Sequence, residues 1–375
     1  MTDQEYRDAI QNVIYLVGCA VNGTTPEAGR VHAMNLEQLY KAASRHLLTA
    51  ITAMALESAG VRDAAFTQAK GKAIRKVALF DAERVAVLRA LEEAGIWYMP
   101  LKGSVMKGYY PKFGMRQMAD NDILYDVSRS ADVRTIMESL GFTTVMYVQN
   151  NYNHDHYDKE PVCNFEMHRA LFAPVSGDRL CDYYLNIKDR LVKDKGNAYG
   201  YHFTDEDFYI YITAHEYKHY SGSGTGLRSI LDTYVFLKRF EDKLDWKYIA
   251  GEMDKLGIAD YERQNRSLAL HLFGSETLTT EDKAMLQYII GSGTYGNRRN
   301  YVGNQIKKLG GGTKGKLKYL KNRIILPMES VESGYPFFYR HKVLMPFLWL
   351  WRICKALTIR RKIVWSELRA LREIN

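Results

Sequence analysis

The sequence predicts an α+β protein: a small mixed β-sheet core flanked by N-terminal and C-terminal helical regions. Three observations lead there. Residues 1–95 place apolar side chains three and four positions apart, with little alternation. Only residues 96–170 contain short apolar runs punctuated by turns, alternating with helical stretches. The helical spacing then returns from residue 204 onward. A 375-residue chain with 46% apolar and 12% aromatic residues can fill more than one core. The pattern divides it into 1–95, 96–200, 201–306 and 307–375.

Taken in order, 35–56 and 64–94 carry the clearest helical periodicity of the first region, separated by turn signals at Asn22-Gly23 and Gly60. Residues 96–101 (IWYMPL) form a run too short for a helix, ending at Gly103 and followed by a helical stretch at 105–110. A second strand falls within 118–127, a helix capped by Ser128 over 128–140, a third strand over 142–149 and a fourth over 162–168. Residues 204–238 read as two helices joined by the glycine-rich loop 221–226. Further helices are expected across 246–273 and over 280–290, with 291–300 a loop and Gly310-Gly311-Gly312 a turn.

Composition excludes several classes. Gly (28) and Pro (8) are too few for collagen-like or low-complexity chains, and four scattered cysteines without a CxxC pair support neither a disulfide scaffold nor a zinc ribbon. The opening MTDQEYRDAIQ lacks a basic stretch followed by an apolar core, so no secretory or transit peptide is expected and a cytoplasmic setting is the default. The formal charge of +9 is concentrated: residues 307–375 hold 16 basic and 4 acidic side chains, a net of +12. The longest uncharged apolar run there, 343–351 (VLMPFLWLW), falls well short of the roughly 20 residues that span a bilayer. Two readings of this tail stand. Trp349, Trp351 and Trp365 among Arg352, Lys355, Arg360, Arg361 and Lys362 suit peripheral contact with a membrane surface, while an amphipathic helix packed on its own domain needs no partner.

The chemistry concentrates in PLKGSVMKGYY…RQMADNDILYD. Asp120 and Asp122, two apart on a strand, project to one face about 6–7 Å apart along it. Paired carboxylates repel unless a cation lies between them, and magnesium is the usual occupant where phosphates are handled. Glu166, in CNFEMH, completes a three-carboxylate cluster if its strand lies beside the first. Gly103-Ser104 gives phosphate oxygens a small-residue bend with a hydroxyl.

These residues resemble the nucleotidyltransferase superfold of DNA polymerase beta and kanamycin nucleotidyltransferase. More narrowly they resemble a family of uncharacterised bacterial nucleotidyltransferases. The family pattern reads here as Leu101-Lys102-Gly103-Ser104, Arg116, Asp120 and Asp122, Glu166 and His168, then His215, His219, Arg228 and Asp232. The likeness runs over roughly residues 80–365, including Tyr335-Pro336 and Met345-Pro346…Arg352. Asn121 departs from it, standing where the family usually has an aliphatic residue, and calls for hydrogen-bond partners in the core.

The resemblance implies transfer of a nucleoside monophosphate from a nucleoside triphosphate to an acceptor hydroxyl, the acceptor being a small molecule, glycan, protein or nucleic acid. Asp120, Asp122 and Glu166 would hold two Mg2+ ions, with Mn2+ as a substitute, and Glu166 would help deprotonate the acceptor. Gly103 and Ser104 would touch the terminal phosphates, and Lys102 and Arg116 would pair with triphosphate or pyrophosphate charge. His215, Lys218, His219, Arg228 and Asp232 would line the cleft opposite, contacting nucleotide or acceptor, unless they form a buried network tying two helices together.

Other motifs compete. His215-Glu216-Tyr217-Lys218-His219 fits the zinc-peptidase pattern HExxH, with Glu241 at a spacing suited to a third ligand. Residues 310–316 approach a phosphate-binding loop, but Leu317 replaces the required hydroxyl and no apolar strand precedes it, so a basic loop is expected. His154 and His156 fall in an apparent loop, either solvated or metal-binding. A nucleic-acid-binding role for the basic tail has charge in its favour and no recognisable motif.

Overall fold

The structure, a computed structural model, describes residues 1–147, 153–173, 178–274 and 276–374. The chain forms two compact units, Met1–His215 with Leu227–Ile290, and Glu216–Gly226 with Gly291–Asn375.

The first unit opens with helices α1 (Asp3–Asn22), α2 (Ala28–His32), α3 (Leu36–Arg45), α4 (Thr49–Ser58) and α5 (Ala64–Glu93). Thr2 and Glu5 close a reciprocal capping box on α1, and the Asp63 carboxylate caps α5 by accepting from the Phe66 N–H. The periodicity over 35–56 breaks between α3 and α4, where Leu47 takes a left-handed φ of 54°. Next come β1 (Tyr98–Pro100), the short α6 (Gly103–Met106), β2 (Asn121–Tyr125), α7 (Ser130–Ser139), β3 (Thr143–Met146), β4 (His154–Lys159), β5 (Cys163–His168), α8 (Arg179–Tyr183), and a small hairpin of β6 (Val192–Lys193) and β7 (Tyr201–His202).

The main sheet is ordered β1-β2-β5-β4-β3, with β2 and β5 parallel and every other neighbouring pair antiparallel. It is mixed and α+β, as the sequence predicts. One face is apolar: Ile123 and Tyr125 of β2, Tyr157 of β4, and Cys163, Phe165 and Met167 of β5 share a core with Val77, Phe80, Val87 and Leu91 of α5 and Val133 and Met137 of α7. The period of two then turns Asp122, His154, Glu166 and His168 to the opposite face.

Three readings are corrected here, and the expectation for Asn121 is met. His154 and His156 lie in β4, not a loop; HDHYDK has one apolar residue, so its strand pairing comes from its neighbours rather than its own pattern. Ser128 is not the helix cap, because Asp126 accepts from the Ser128 N–H and starts a turn of 3-10 helix ahead of α7. The third strand ends at Met146; the 148–149 part of that reading lies outside the described residues. Asn121 is satisfied in the core, donating to the Phe80 carbonyl at 3.2 Å and accepting from Arg84 at 3.1 Å.

Helices α9 (Asp205–Tyr220), α10 (Leu227–Phe240), α11 (Trp246–Leu256), α12 (Ala259–Phe273) and α13 (Thr280–Ser292) follow, then α14 (Arg298–Lys308), α15 (Gly312–Ile324), α16 (Met328–Gly334), α17 (Pro336–Arg340), α18 (Met345–Leu357) and α19 (Arg361–Glu373). Two more corrections fall here: α14 begins inside the expected loop 291–300, and Gly312 opens α15, so 310–316 is no basic loop. Within the second unit, Val302, Ile306, Tyr319 and Ala370 form one small core, and Val331, Met345 and Leu348 another. Buried Glu367 on α19 accepts both arms of Arg323, at 2.9 and 2.6 Å, joining α15 to α19.

Candidate active site

β1 and β2 form an antiparallel ribbon, and the Leu101 N–H closes it onto the Asp122 carbonyl at 2.9 Å. The chain then turns sharply. Lys102 adopts φ 45°, a left-handed conformation costing a side-chain-bearing residue about 1–3 kcal/mol. With that backbone its ammonium sits 2.7 Å from Asp122 Oδ1.

Gly103 follows for a steric reason. A Cβ there would lie 2.5 Å from Arg116 Nη1 and 3.0 Å from Met118 Cε. Arg116 cannot readily withdraw, because its Nε and Nη2 each donate at 2.8 Å to the two oxygens of Asp232 on α10, and the Tyr110 hydroxyl donates to Asp232 Oδ1 at 2.7 Å. Ser104 donates its hydroxyl to the Leu101 carbonyl at 2.6 Å, tightening the same bend.

Asp122 is the register partner of Glu166 on the neighbouring parallel strand, and Asp120 precedes β2 on the same side. One oxygen from each of Asp120, Asp122 and Glu166 lies within 4.8 Å of the others. Their charges are differentiated. Burial and the Asp122 charge push the Asp120 carboxyl up to about 6, against the pull of Lys102. Burial would raise Asp122 too, but Lys102 and the His168 imidazole, 2.8 Å from its Oδ1, outweigh it and hold it well below the usual range. Glu166 is likewise held low, His168 and Lys102 overcoming burial and the Asp122 charge. The donor set is three carboxylates with one compensating ammonium, which suits hard divalent cations.

A further residue, absent from the sequence reading, joins this face. The Tyr211 hydroxyl on α9 is fully buried and makes no hydrogen bond among the described residues. Burial and the charges of Asp122, Glu166 and Asp120 raise it well above its ordinary value, against the opposing pull of Lys102. Its one signal in sequence is its place a helical turn before His215, whose ring centroid is 6.2 Å from its own. Arg228 donates to the Gln117 carbonyl at 3.2 Å and lowers Asp120 through its charge.

The structure therefore brings Lys102, Asp120, Asp122, Glu166 and Arg228 together. Arg116 and Asp232, expected at nucleotide, are paired with each other. Lys218 and His219 end α9 within the second unit. Glu216, the base position of the HExxH pattern, accepts from Thr225 at 3.0 Å. Among the described residues, the two groupings able to hold a metal are Asp120, Asp122 and Glu166, and His154, Glu166 and His168; neither contains His215, His219 or Glu241.

The mixed sheet thus carries three convergent carboxylates beside a strained Lys-Gly-Ser bend. The chain belongs to the family of uncharacterised nucleotidyltransferases, whose model matches residues 32–274. That membership supports a nucleotidyl-transfer role with a nucleoside triphosphate as substrate. Neither a curated protein nor a solved structure matches the chain. Among the described residues no helix is long and apolar enough to cross a membrane.

Proposed function

We propose that the chain is a magnesium-dependent enzyme of the DNA polymerase beta-like superfold, transferring a nucleoside monophosphate from a triphosphate to an acceptor hydroxyl. The observation that carries this reading is the convergence of Asp120, Asp122 and Glu166 oxygens within 4.8 Å, in a chain of nucleotidyltransferase family. Two divalent cations bound there supply charge neutralisation and a polarised phosphoryl group. Asp120, Asp122 and Glu166 hold them, with Glu166, kept ionised by His168 and Lys102, positioned to take the acceptor proton. Lys102 turns from Asp122 to the incoming phosphates, which Gly103 and Ser104 also contact. The Tyr211 hydroxyl, without a hydrogen-bond partner among the described residues, donates to a phosphate oxygen, and Arg228 and His215 contact nucleotide or acceptor. Arg116 and Asp232 hold the bend from behind.

The test is label transfer. The full chain is incubated with each α-labelled nucleoside triphosphate, Mg2+ or Mn2+, and a cell lysate, and the labelled product is identified. Asp120→Asn and Asp122→Asn should abolish labelling. Labelling that survives both substitutions overturns the reading.

A second reading concerns the tail. On α18, Phe347, Leu350, Trp351 and Leu357 are exposed along one stripe, and Ile359 and Trp365 are 78% and 69% exposed beyond it. Lys355, Arg360, Arg361 and Lys362 accompany them. We infer peripheral contact with anionic lipid on the cytoplasmic membrane surface, the exposed rings entering the interface and the cations meeting headgroups. Flotation with anionic vesicles should retain the protein, and Phe347→Ser with Trp351→Ser should release it. Equal retention of both proteins removes this reading.

A further inference from the structure

His154 and His168 are register partners on antiparallel β4 and β5, and Glu166 lies two residues before His168 on the same face. The three side chains converge on one point. Glu166 Oε2 is 3.6 Å from His154 Nδ1 and 3.5 Å from His168 Nε2, and all three ligand atoms lie within 4.8 Å of one another. A tetrahedral ion with Zn–N and Zn–O distances near 2.1 Å spaces its ligands about 3.4 Å apart. The observed separations thus leave room for an ion with little movement of the sheet, and two imidazoles with one carboxylate favour a borderline transition metal over Mg2+.

We propose that His154, Glu166 and His168 form a second cation site, for a transition-metal ion such as Zn2+, overlapping the Asp120 and Asp122 pair through Glu166. His168 meets the side-chain nitrogen of Asn153 at 3.2 Å through its other ring nitrogen, Nδ1. When Nε2 turns to the ion it gives up its contact with Asp122, which keeps the Lys102 ammonium as partner. Occupancy withdraws Glu166 from the carboxylate trio, so Zn2+ inhibits by competing with Mg2+. That consequence rests on the nucleotidyl-transfer reading; the binding does not.

The experiment uses the chelator-treated full chain titrated with Co2+ alone, a spectroscopic stand-in for zinc, followed by visible absorption. One equivalent should produce the intense bands of four- or five-coordination, and Zn2+ should abolish them. His154→Gln should weaken Zn2+ binding more than about 10-fold. His156→Gln, its neighbour on β4, and Asp120→Asn should leave the bands in place, with circular dichroism confirming that each variant is folded. Weak six-coordinate bands, bands unchanged in His154→Gln, or bands lost in Asp120→Asn overturn the proposal. Bands that behave as expected in a chain that transfers no nucleotide would leave the site standing and remove the inhibitory consequence alone.

Discussion

Asp122 and Glu166 face each other as register partners on two parallel strands, and His168 bridges them, 2.8 Å from the one and 3.5 Å from the other. Two adjacent carboxylates would otherwise repel, and burial sharpens that repulsion. The bridge and Lys102 absorb the charge at Asp122, leaving Asp120 as the carboxyl whose ionisation is opposed in the cation-free protein.

An asymmetry between the two aspartates follows. Asp122→Asn strips the partner from a largely buried Lys102 and should lower unfolding free energy by about 3 kcal/mol. Asp120→Asn removes the repelled carboxylate and should leave stability unchanged or higher, while abolishing transfer as fully as Asp122→Asn does. Denaturant melts at pH 7.5 beside an assay of label transfer check this. Equal loss of stability in the two variants contradicts the charge assignment.

Tyr211 separates function from structure more sharply. A buried hydroxyl without a partner contributes nothing favourable to folding, so Tyr211→Phe should keep or raise the melting temperature. If the hydroxyl meets a phosphate oxygen, the same variant should lose about 10–1000-fold in kcat/KM for the triphosphate. A variant as active as the wild type removes Tyr211 from the site.

The half of the fold that holds the candidate site was legible because the residues concerned are local: Lys102 to Ser104, Asp120 with Asp122, and Glu166 lie in short segments whose apolar runs mark strands. What could not be read was set by tertiary contact. β4 carries His154 and His156 on one face and Asp155 on the other, where Asp155 accepts from the Tyr125 hydroxyl at 3.0 Å, so no apolar alternation announces a strand. Asn121 broke the pattern of β2 because its partners sit about forty residues earlier, on α5. Gly103 suggested close approach by phosphate, whereas its nearest neighbour is the Arg116 guanidinium. The glycines at 310–312 pointed to a loop, and they do turn the chain, with positive φ at each, but Gly312 also begins a helix.

The Arg116–Asp232 pair is a buried bidentate lock with Tyr110 as a third member. Arg116→Ala leaves the Asp232 charge uncompensated and should lower stability by about 3–5 kcal/mol. Arg116→Lys supplies the charge without the planar fork and should recover part of it. Circular dichroism melts give the order wild type, Lys, Ala. If Arg116 instead met nucleotide with no structural role, all three proteins would melt together.

His46 sets the pH response of the helical part of the first unit. Its Nδ1 accepts the Leu227 N–H at 3.1 Å, so the neutral ring carries its proton on Nε2, which donates to the Tyr6 hydroxyl at 2.9 Å; that hydroxyl in turn donates to the Ile290 carbonyl at 3.1 Å. Protonating Nδ1 would set two donors against each other in a site closed to water, and burial with the neighbouring Arg45 charge pulls the imidazole down to about 3. The unfolded chain takes up this proton near pH 6.5 and the folded chain does not until about pH 3. The unfolded state therefore binds more protons throughout that window, and the His46 contribution to stability is complete above pH 6.5 and declines as pH falls, by up to about 1.4 kcal/mol per unit. His46→Gln, which keeps an acceptor and a donor without a titrating ring, should be less stable at pH 7.5 and lose less on acidification. Urea melts of both proteins at pH 7.5, 6.0 and 5.0 isolate the difference from the titration of every other group. Parallel pH profiles would show that His46 is free to protonate in the folded protein.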